Sequence, residues 1–368
     1  MPKPRRTPSS ASQDDIAAPL LAWYDRHHRS LPWRSPPGAP PMDPYRVWLS
    51  EVMLQQTTVP AVIPYFLNFT ARWPRVEDLA AAPVDDVMEA WAGLGYYARA
   101  RNLHKCAQVV SAQYGGRFPD NEEDLLQLPG IGTYTAAAIA AIAFGRPAAV
   151  LDGNIERVLA RVFAVTAPLP QAKPELRKLA GRIMPTERPG DVAQALMDLG
   201  AAICTPRNPE CLLCALAEPC QARALGIAGE LPRKAPKAER PVRHAMAFLL
   251  QREDGAILLR RRPPKGLLGG MLEVPSTPWR DRAWHNGEVV AHAPAQIEWQ
   301  AVDSAAEHVF THFTLKIGAL HGRIDARRAA ALDGLWQQPQ EAALPTVMKK
   351  MLSLLPNGTT AKSRARVR

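Results

Sequence analysis

The sequence predicts two domains of different class, a mainly α domain over residues 15–225 and an α+β domain over residues 242–356. Three observations carry this. The first stretch is a series of alanine- and leucine-rich segments at helical spacing, cut by Pro and Gly. Residues 226–241, GIAGELPRKAPKAERP, lose that spacing and are rich in Pro, Lys and Arg, which suits a linker. After Val242, HAMAFLLQ and AILLRRR flank a turn at Asp254-Gly255, the mark of a β-hairpin. A chain of 368 residues is long enough for both cores.

Within the first domain, helices are expected at Tyr45–Thr58, Val84–Leu94, Arg99–Tyr114, Tyr134–Phe144 and Asn154–Val165. In the second, further strands are expected at Ala295–Ala301 and Thr311–Leu320. Residues 1–14 and the basic stretch 357–368 read as disordered tails.

Hydrophobic residues make up 47% and charged residues 22%, the balance of a globular chain. A formal net charge of +10 favours a polyanionic partner, nucleic acid before membrane surface. The most apolar stretch, Ala136–Phe144, is far too short to span a bilayer. The N-terminus is basic and then polar, without the apolar core of a signal peptide, so the expectation is a cytoplasmic protein with no membrane. In a reducing compartment, five cysteines point to metal or thiol chemistry rather than disulfides.

Four of the five cysteines fall within 17 residues, as Cys204-x6-Cys211-x2-Cys214-x5-Cys220. That density marks a thiolate metal site, and the spacing suits zinc and an iron–sulfur cluster equally. Arg207 lies in the loop between the first two and is a candidate phosphate contact. Cys106, in a helical run, reads as a packed thiol.

Leu128-Pro129-Gly130-Ile131-Gly132-Thr133 precedes an alanine-rich helix. Gly130 and Gly132 permit a tight turn and a close approach, and the free N–H groups opening the next helix attract phosphate. This is a helix–hairpin–helix, a way of holding DNA without reading its sequence. Helical spacing puts Glu51 on a largely apolar stripe with Val47 and Leu54. Partial desolvation there raises a carboxyl pKa, as a general acid at neutral pH needs. Asp152 stands at a helix start in Val150-Leu151-Asp152-Gly153-Asn154, where a simple N-cap is the common role. A carboxylate there is also suited to face a cationic sugar in glycosidic cleavage.

Taken together these residues resemble the endonuclease III superfamily of helix–hairpin–helix DNA glycosylases, and within it the MutY-type adenine DNA glycosylases. The carriers are Ser50-Glu51-Val52-Met53-Leu54-Gln55-Gln56-Thr57, Gly93-Leu94-Gly95-Tyr96-Tyr97-Ala98-Arg99-Ala100-Arg101, Leu128-Pro129-Gly130-Ile131-Gly132, Leu151-Asp152-Gly153-Asn154 and the cysteine spacing, over about residues 20–222. The resemblance implies one 4Fe–4S cluster on the four cysteines. It implies that Glu51 protonates adenine, that Asp152 stabilises the sugar cation, and that Tyr134 and Asn154 orient these two. It further implies that Gln56 and Tyr96 wedge into the base stack and that Arg34, in Leu31-Pro32-Trp33-Arg34, contacts the flipped base. Bifunctional members carry a strand-cleaving lysine where this chain has Tyr134, and a phenol cannot form a Schiff base. Some members carry another lysine where this chain has Glu156. The implied activity is base excision repair by a monofunctional enzyme, a monomer bound to double-stranded DNA at an adenine opposite 8-oxoguanine or guanine.

The second domain resembles the Nudix-like C-terminal domain of the same family, through Gly266-Leu267-Leu268-Gly269-Gly270-Met271-Leu272-Glu273-Val274-Pro275 and Phe310-Thr311-His312-Phe313. The segment PSTPWRDRAWHNGE lacks the carboxylate cluster that would hold magnesium. Pyrophosphate hydrolysis is therefore not expected. The family role is recognition of 8-oxoguanine, with Thr311 and His312 at the reading tip and threonine in place of the relatives' serine.

Overall fold

The computed structural model describes residues 16–356 except 237, 238, 264, 265 and 343, and the backbone of residues 366 and 367. The N-terminal tail, and the C-terminal one apart from those two residues, lie outside the described residues. The chain divides into two compact units, Met1–Pro236 and Lys237–Arg368.

Unit one is helical: α1 (Ala17–His27), α2 (Pro44–Leu54), α3 (Val59–Arg72), α4 (Val76–Ala81), α5 (Val84–Ala90), α6 (Ala98–Tyr114), α7 (Glu122–Gln127), α8 (Thr133–Phe144), α9 (Gly153–Val162), α10 (Lys173–Ile183), α11 (Pro189–Ala202) and α12 (Gln221–Ala224). Its centre is α8, whose residues Thr135–Ala143 are all buried. A helix apolar on every side belongs inside a core, and alanine lets its neighbours α2, α7 and α11 come close. Trp48, Trp91, Phe66 and Phe69 fill the space on the α2–α3–α5 side.

Three helices end earlier than expected, for the same reason; one of them, α9, expected to reach Val165, stops at Val162, because Ala164 takes φ 49°. Another, expected to reach Thr58, stops at Leu54, because Gln56 adopts φ 57° and Thr58 already caps α3. The third, expected to reach Leu94, stops at Ala90, because Gly93, Gly95 and Tyr96 all take positive φ. Left-handed residues cannot continue an α-helix. The stretch read as linker divides in two: Leu231 is buried beside Ala222 and Ala228, and Leu169 bridges Lys234, so unit one extends to Pro236.

Unit two is built on a seven-stranded sheet: β1 (Val242–Arg252), β2 (Ile257–Arg261), β3 (Leu272–Glu273), β4 (Trp299–Val309), β5 (Thr314–Ile324), β6 (Leu335–Gln337) and β7 (Arg366–Val367). Its order is β3-β2-β1-β5-β4-β7, with β6 also on β2. The expected hairpin is β1–β2, antiparallel, while β1 and β5 run parallel from Val242↔Thr314 to Arg252↔Ile324. Strand side chains alternate faces, so Ala245, Ala247 and Leu249 enter one core with Met348 and Met351 of α15 (Thr346–Leu352). Phe248 and Leu250 enter another with Trp299 and Leu320. Short helices α13 (Asn286–Val289) and α14 (Ala326–Ala329) complete the unit. The strands expected at Ala295–Ala301 and Thr311–Leu320 begin later, at Trp299 and Thr314; before the second, Phe310 donates its N–H to the Phe313 carbonyl (2.8 Å) and makes residues 311 and 312 a turn.

Candidate active site

A cleft of about 730 Å3 in unit one is lined by α2, the start of α8, the start of α9 and α11. Glu51 projects into it from α2 and is 6% exposed. The Tyr134 hydroxyl donates to its Oε2 at 2.7 Å. Burial pushes the Glu51 carboxyl up to about 7, against the opposing pull of the Tyr134 bond, and the charge of Asp152 raises it further. Its ordinary value is near 4.5, so at neutral pH the group is divided between acid and carboxylate.

Asp152 is the N-cap of α9, and its Oδ1 accepts from the Ile155 N–H at 2.7 Å. It serves as cap and cleft wall together. Its Oδ2 accepts from the Asn154 amide at 3.0 Å. Burial raises this carboxyl also, while the hydrogen bonds from Ile155 and Asn154 pull it back. The Asn154 amide is itself fixed, because its Oδ1 accepts from Arg157 Nη2 at 2.9 Å. Arg157 is buried and also donates to the carbonyls of Gly200 (2.7 Å) and Cys204 (2.7 Å). A Cβ at Gly200 would lie 2.7 Å from the Asn154 Cβ, so α11 can pass this close to α9 only with glycine there. Asparagine, arginine and a glycine thus hold one face of Asp152.

Arg34 lines the cleft, but its Nη1 donates to both oxygens of Asp198 at 2.9 and 2.8 Å. Asp198 on α11 is 1% exposed and also accepts from Arg29 through its main-chain N–H (3.0 Å) and its Nε (2.6 Å). Arg29, Asp198, Arg99 and Arg157 were not singled out from sequence. Asp198 had one signal, a lone charge in the apolar helix ALMDLG.

Gly130 and Gly132 line the same cleft, in the hairpin between α7 and α8. Gly130 takes φ 79°, and a Cβ there would lie 2.8 Å from that of Asn102. Gln56 is exposed on the rim. Tyr96 is 56% exposed on the α5–α6 loop and is not among the lining residues. Arg207 is exposed on the cysteine loop, also outside the lining. Among the described residues lining the cleft there is no lysine, and Glu156 is ion-paired with Lys173 at 2.9 Å.

Cys204, Cys211, Cys214 and Cys220 line one pocket with Arg161, whose Nη1 lies 3.2 Å from the Cys204 Sγ. Burial pushes the Cys214 thiol up to about 11, and the three other sulfurs add to that rise. Four sulfurs around one pocket, with an N–H donor beside one of them, suit a thiolate-bound metal group. No three His, Cys, Asp or Glu side chains among the described residues converge as they would on a single ion. Zinc and an iron–sulfur cluster both take such an all-sulfur set. Cys106 is buried and apart, with its thiol pushed up to about 12 by burial.

In unit two, Thr311 and His312 are exposed at the turn between β4 and β5. Beneath them Phe310 stacks on Phe313 (4.7 Å) and packs on Trp279 (5.5 Å). Arg243 covers Phe313 and Arg262 covers Trp279. Glu273 is buried and paired with Arg260 (2.5 Å) and Arg262. None of the described helices is long and apolar enough to cross a membrane.

A Gly-x-Gly hairpin beside a cleft that holds buried Glu51 and half-buried Asp152 is the arrangement of a base-excision glycosylase, and residues 49–185 match the HhH-GPD superfamily of base excision DNA repair proteins. Residues 246–354 match the NUDIX domain. Adenine DNA glycosylase from Homo sapiens is 39% identical over 71% of this chain and 57% of its own length, and that from Rattus norvegicus 36% identical over 90% and 76%. The chain belongs to the adenine DNA glycosylase family. Among solved structures, a thermostable thymine-DNA glycosylase is 30% identical with a TM-score of 0.53, matching 59% of this chain and all of that one. Endonuclease III in a non-covalent complex with DNA, 22% identical over 60% of this chain and 99% of that one, shares the fold with a TM-score of 0.50.

Proposed function

We propose that this chain is a monomeric, monofunctional glycosylase that hydrolyses the N-glycosidic bond of adenine opposite 8-oxoguanine or guanine in duplex DNA. One observation carries the reading: the buried Glu51, held by Tyr134, shares a cleft with Asp152, and no lysine lines that cleft among the described residues. The cleft is roomy enough for one base turned out of the stack.

Glu51 donates its proton to a ring nitrogen of adenine. The electrons of the glycosidic bond leave with the base, and positive charge develops on the sugar. A group near pH 7 is matched to this task, since it is both available as acid and a capable donor. Asp152, oriented by Asn154, faces the cationic sugar until water adds to it. Without a lysine nucleophile no Schiff base forms, so the product is an abasic site in an unbroken strand.

The remaining residues hold the DNA. The N-terminus of α8, with Gly130 and Gly132, takes backbone phosphate, and Arg207 a second one. Gln56 and Tyr96 wedge into the stack, and Arg34 forms part of the base pocket. Thr311 and His312 read 8-oxoguanine from a tip that rests on stacked aromatic rings. Cys204, Cys211, Cys214 and Cys220 would hold a 4Fe–4S cluster, which supplies a cross-link of the loop carrying Arg207.

The test is a duplex with a single adenine opposite 8-oxoguanine, incubated with the protein and assayed for free base. Release of adenine at a rate that depends on Glu51 is expected. Intact adenine after prolonged incubation contradicts the reading.

A further inference from the structure

We infer that Arg99 is a positioning residue that locks the two wedge-bearing loops to one another and so controls extrusion of the base rather than its cleavage. The inference rests on the duplex activity proposed above.

The loops holding Gln56 and Tyr96 are 40 residues apart in sequence, yet one side chain joins them. Arg99, in the first turn of α6, donates through Nη1 to the carbonyls of Val52 (3.0 Å) and Met53 (2.8 Å) at the end of α2. Its Nη2 donates to the Thr57 hydroxyl (3.1 Å), beside Gln56, and to the carbonyls of Leu94 and Gly95 (each 3.3 Å), beside Tyr96. Its guanidinium also lies 5.3 Å from the ring centres of both Tyr96 and Trp91. The group is half-buried, and its described partners are carbonyls, one hydroxyl and two rings, with Nε buried and lacking an acceptor. It is used for its fixed fork of donors rather than for an ion pair.

Both loops need such a hold. Gln56 and Tyr96 have φ of 57° and 50°, a conformation that side-chain-bearing residues rarely adopt and that the surroundings must impose. Both side chains are nevertheless exposed, so neither is held by burial. The Tyr96 loop has further ties of its own, among them Tyr65 Oη to the Ala92 carbonyl (2.8 Å) and Trp91 Nε1 to the Gly95 carbonyl (3.0 Å). These anchor that loop to α3 and α5. Arg99 alone among these residues reaches the Gln56 loop as well.

Lysine in its place keeps the charge but offers three donors from a point, against five acceptors spread over the end of α2 and the two loops. For Arg99→Lys, single-turnover excision from a fully paired A:8-oxoguanine duplex is expected to slow by ten- to a hundredfold. On the same strand with adenine in a single-nucleotide bulge, already unstacked, the rate should stay within about threefold of wild type. In a Gln56→Ala/Tyr96→Ala background, Arg99→Lys should add less than a further threefold, because the wedges through which it acts are gone. Equal slowing on both substrates, or full additivity with the wedge substitutions, overturns the inference and leaves Arg99 a general structural residue. Wild-type rates on the paired duplex also overturn it. If wild-type protein itself fails on the paired duplex, the functional reading fails instead.

Discussion

Replacing Glu51 by Gln tests whether the cleft keeps a strained acid. The carboxyl is raised from its ordinary value near 4.5 to about 7, chiefly because burial penalises its charge. A group raised in the folded state contributes stability that is complete below pH 4.5 and is lost as pH rises through 7. Two and a half pH units, at 1.36 kcal/mol each, amount to about 3 kcal/mol. Glutamine occupies the same volume, can still accept from Tyr134, and carries no charge at any pH. Part of this is already lost at pH 5, so Glu51→Gln should be about 2–3 kcal/mol more stable relative to wild type at about pH 8 than at about pH 5. Urea unfolding of both proteins at the two pH values, followed by the helical signal of unit one, measures this. Base release should vanish in the same variant while duplex binding persists. A stability difference that does not change with pH would refute the desolvation argument, and near-wild-type excision would refute the assigned acid.

Three further outcomes follow from the same geometry. Tyr134→Phe removes a bond that favours the carboxylate, so Glu51 should titrate higher still. With about 1.5–3 kcal/mol for a hydrogen bond to a charged group, the alkaline limb of the single-turnover pH profile should move up by about one to two pH units; an unmoved limb contradicts this. Gly200→Ala places a Cβ against Asn154 and should slow excision at least tenfold, with about 1–3 kcal/mol of stability lost and duplex binding retained. Unchanged kinetics there would show that Asn154 does not orient Asp152. Cys214→Ser should lower both bound iron and resistance to urea, and a variant with full iron and wild-type stability would remove Cys214 from the ligand set.

Features that follow from local periodicity and spacing were legible in the sequence. The apolar stripe around Glu51 does bury it, and the Asp-Gly-Asn start of α9 does place Asp152 at an N-cap. The four cysteines do share a pocket. Features that depend on tertiary contact were not legible. Arg99, Arg157 and Arg161 carry no mark of burial in their own helices, yet each is turned inward to carbonyls distant in sequence. Arg34 was expected to meet the base, and its pairing with Asp198 depends on a helix more than 160 residues away. The helix ends at Leu54 and Val162 carry no sequence mark, because left-handed Gln56 and Ala164 are not glycines, whereas Gly93 and Gly95 do mark the end at Ala90. Thr311 reads as a strand residue by β-propensity, whereas the Phe310–Phe313 closure makes it part of a turn.

The central claim is base release without strand cleavage, carried by Glu51 and Asp152. Its most direct test is an end-labelled duplex with one adenine opposite 8-oxoguanine, incubated with the protein and divided in two, one half then heated in alkali. Cleavage at the adenine in the alkali-treated half alone is the result expected of a glycosylase with tyrosine at residue 134. A break at that position without alkali, or none in either half, contradicts it.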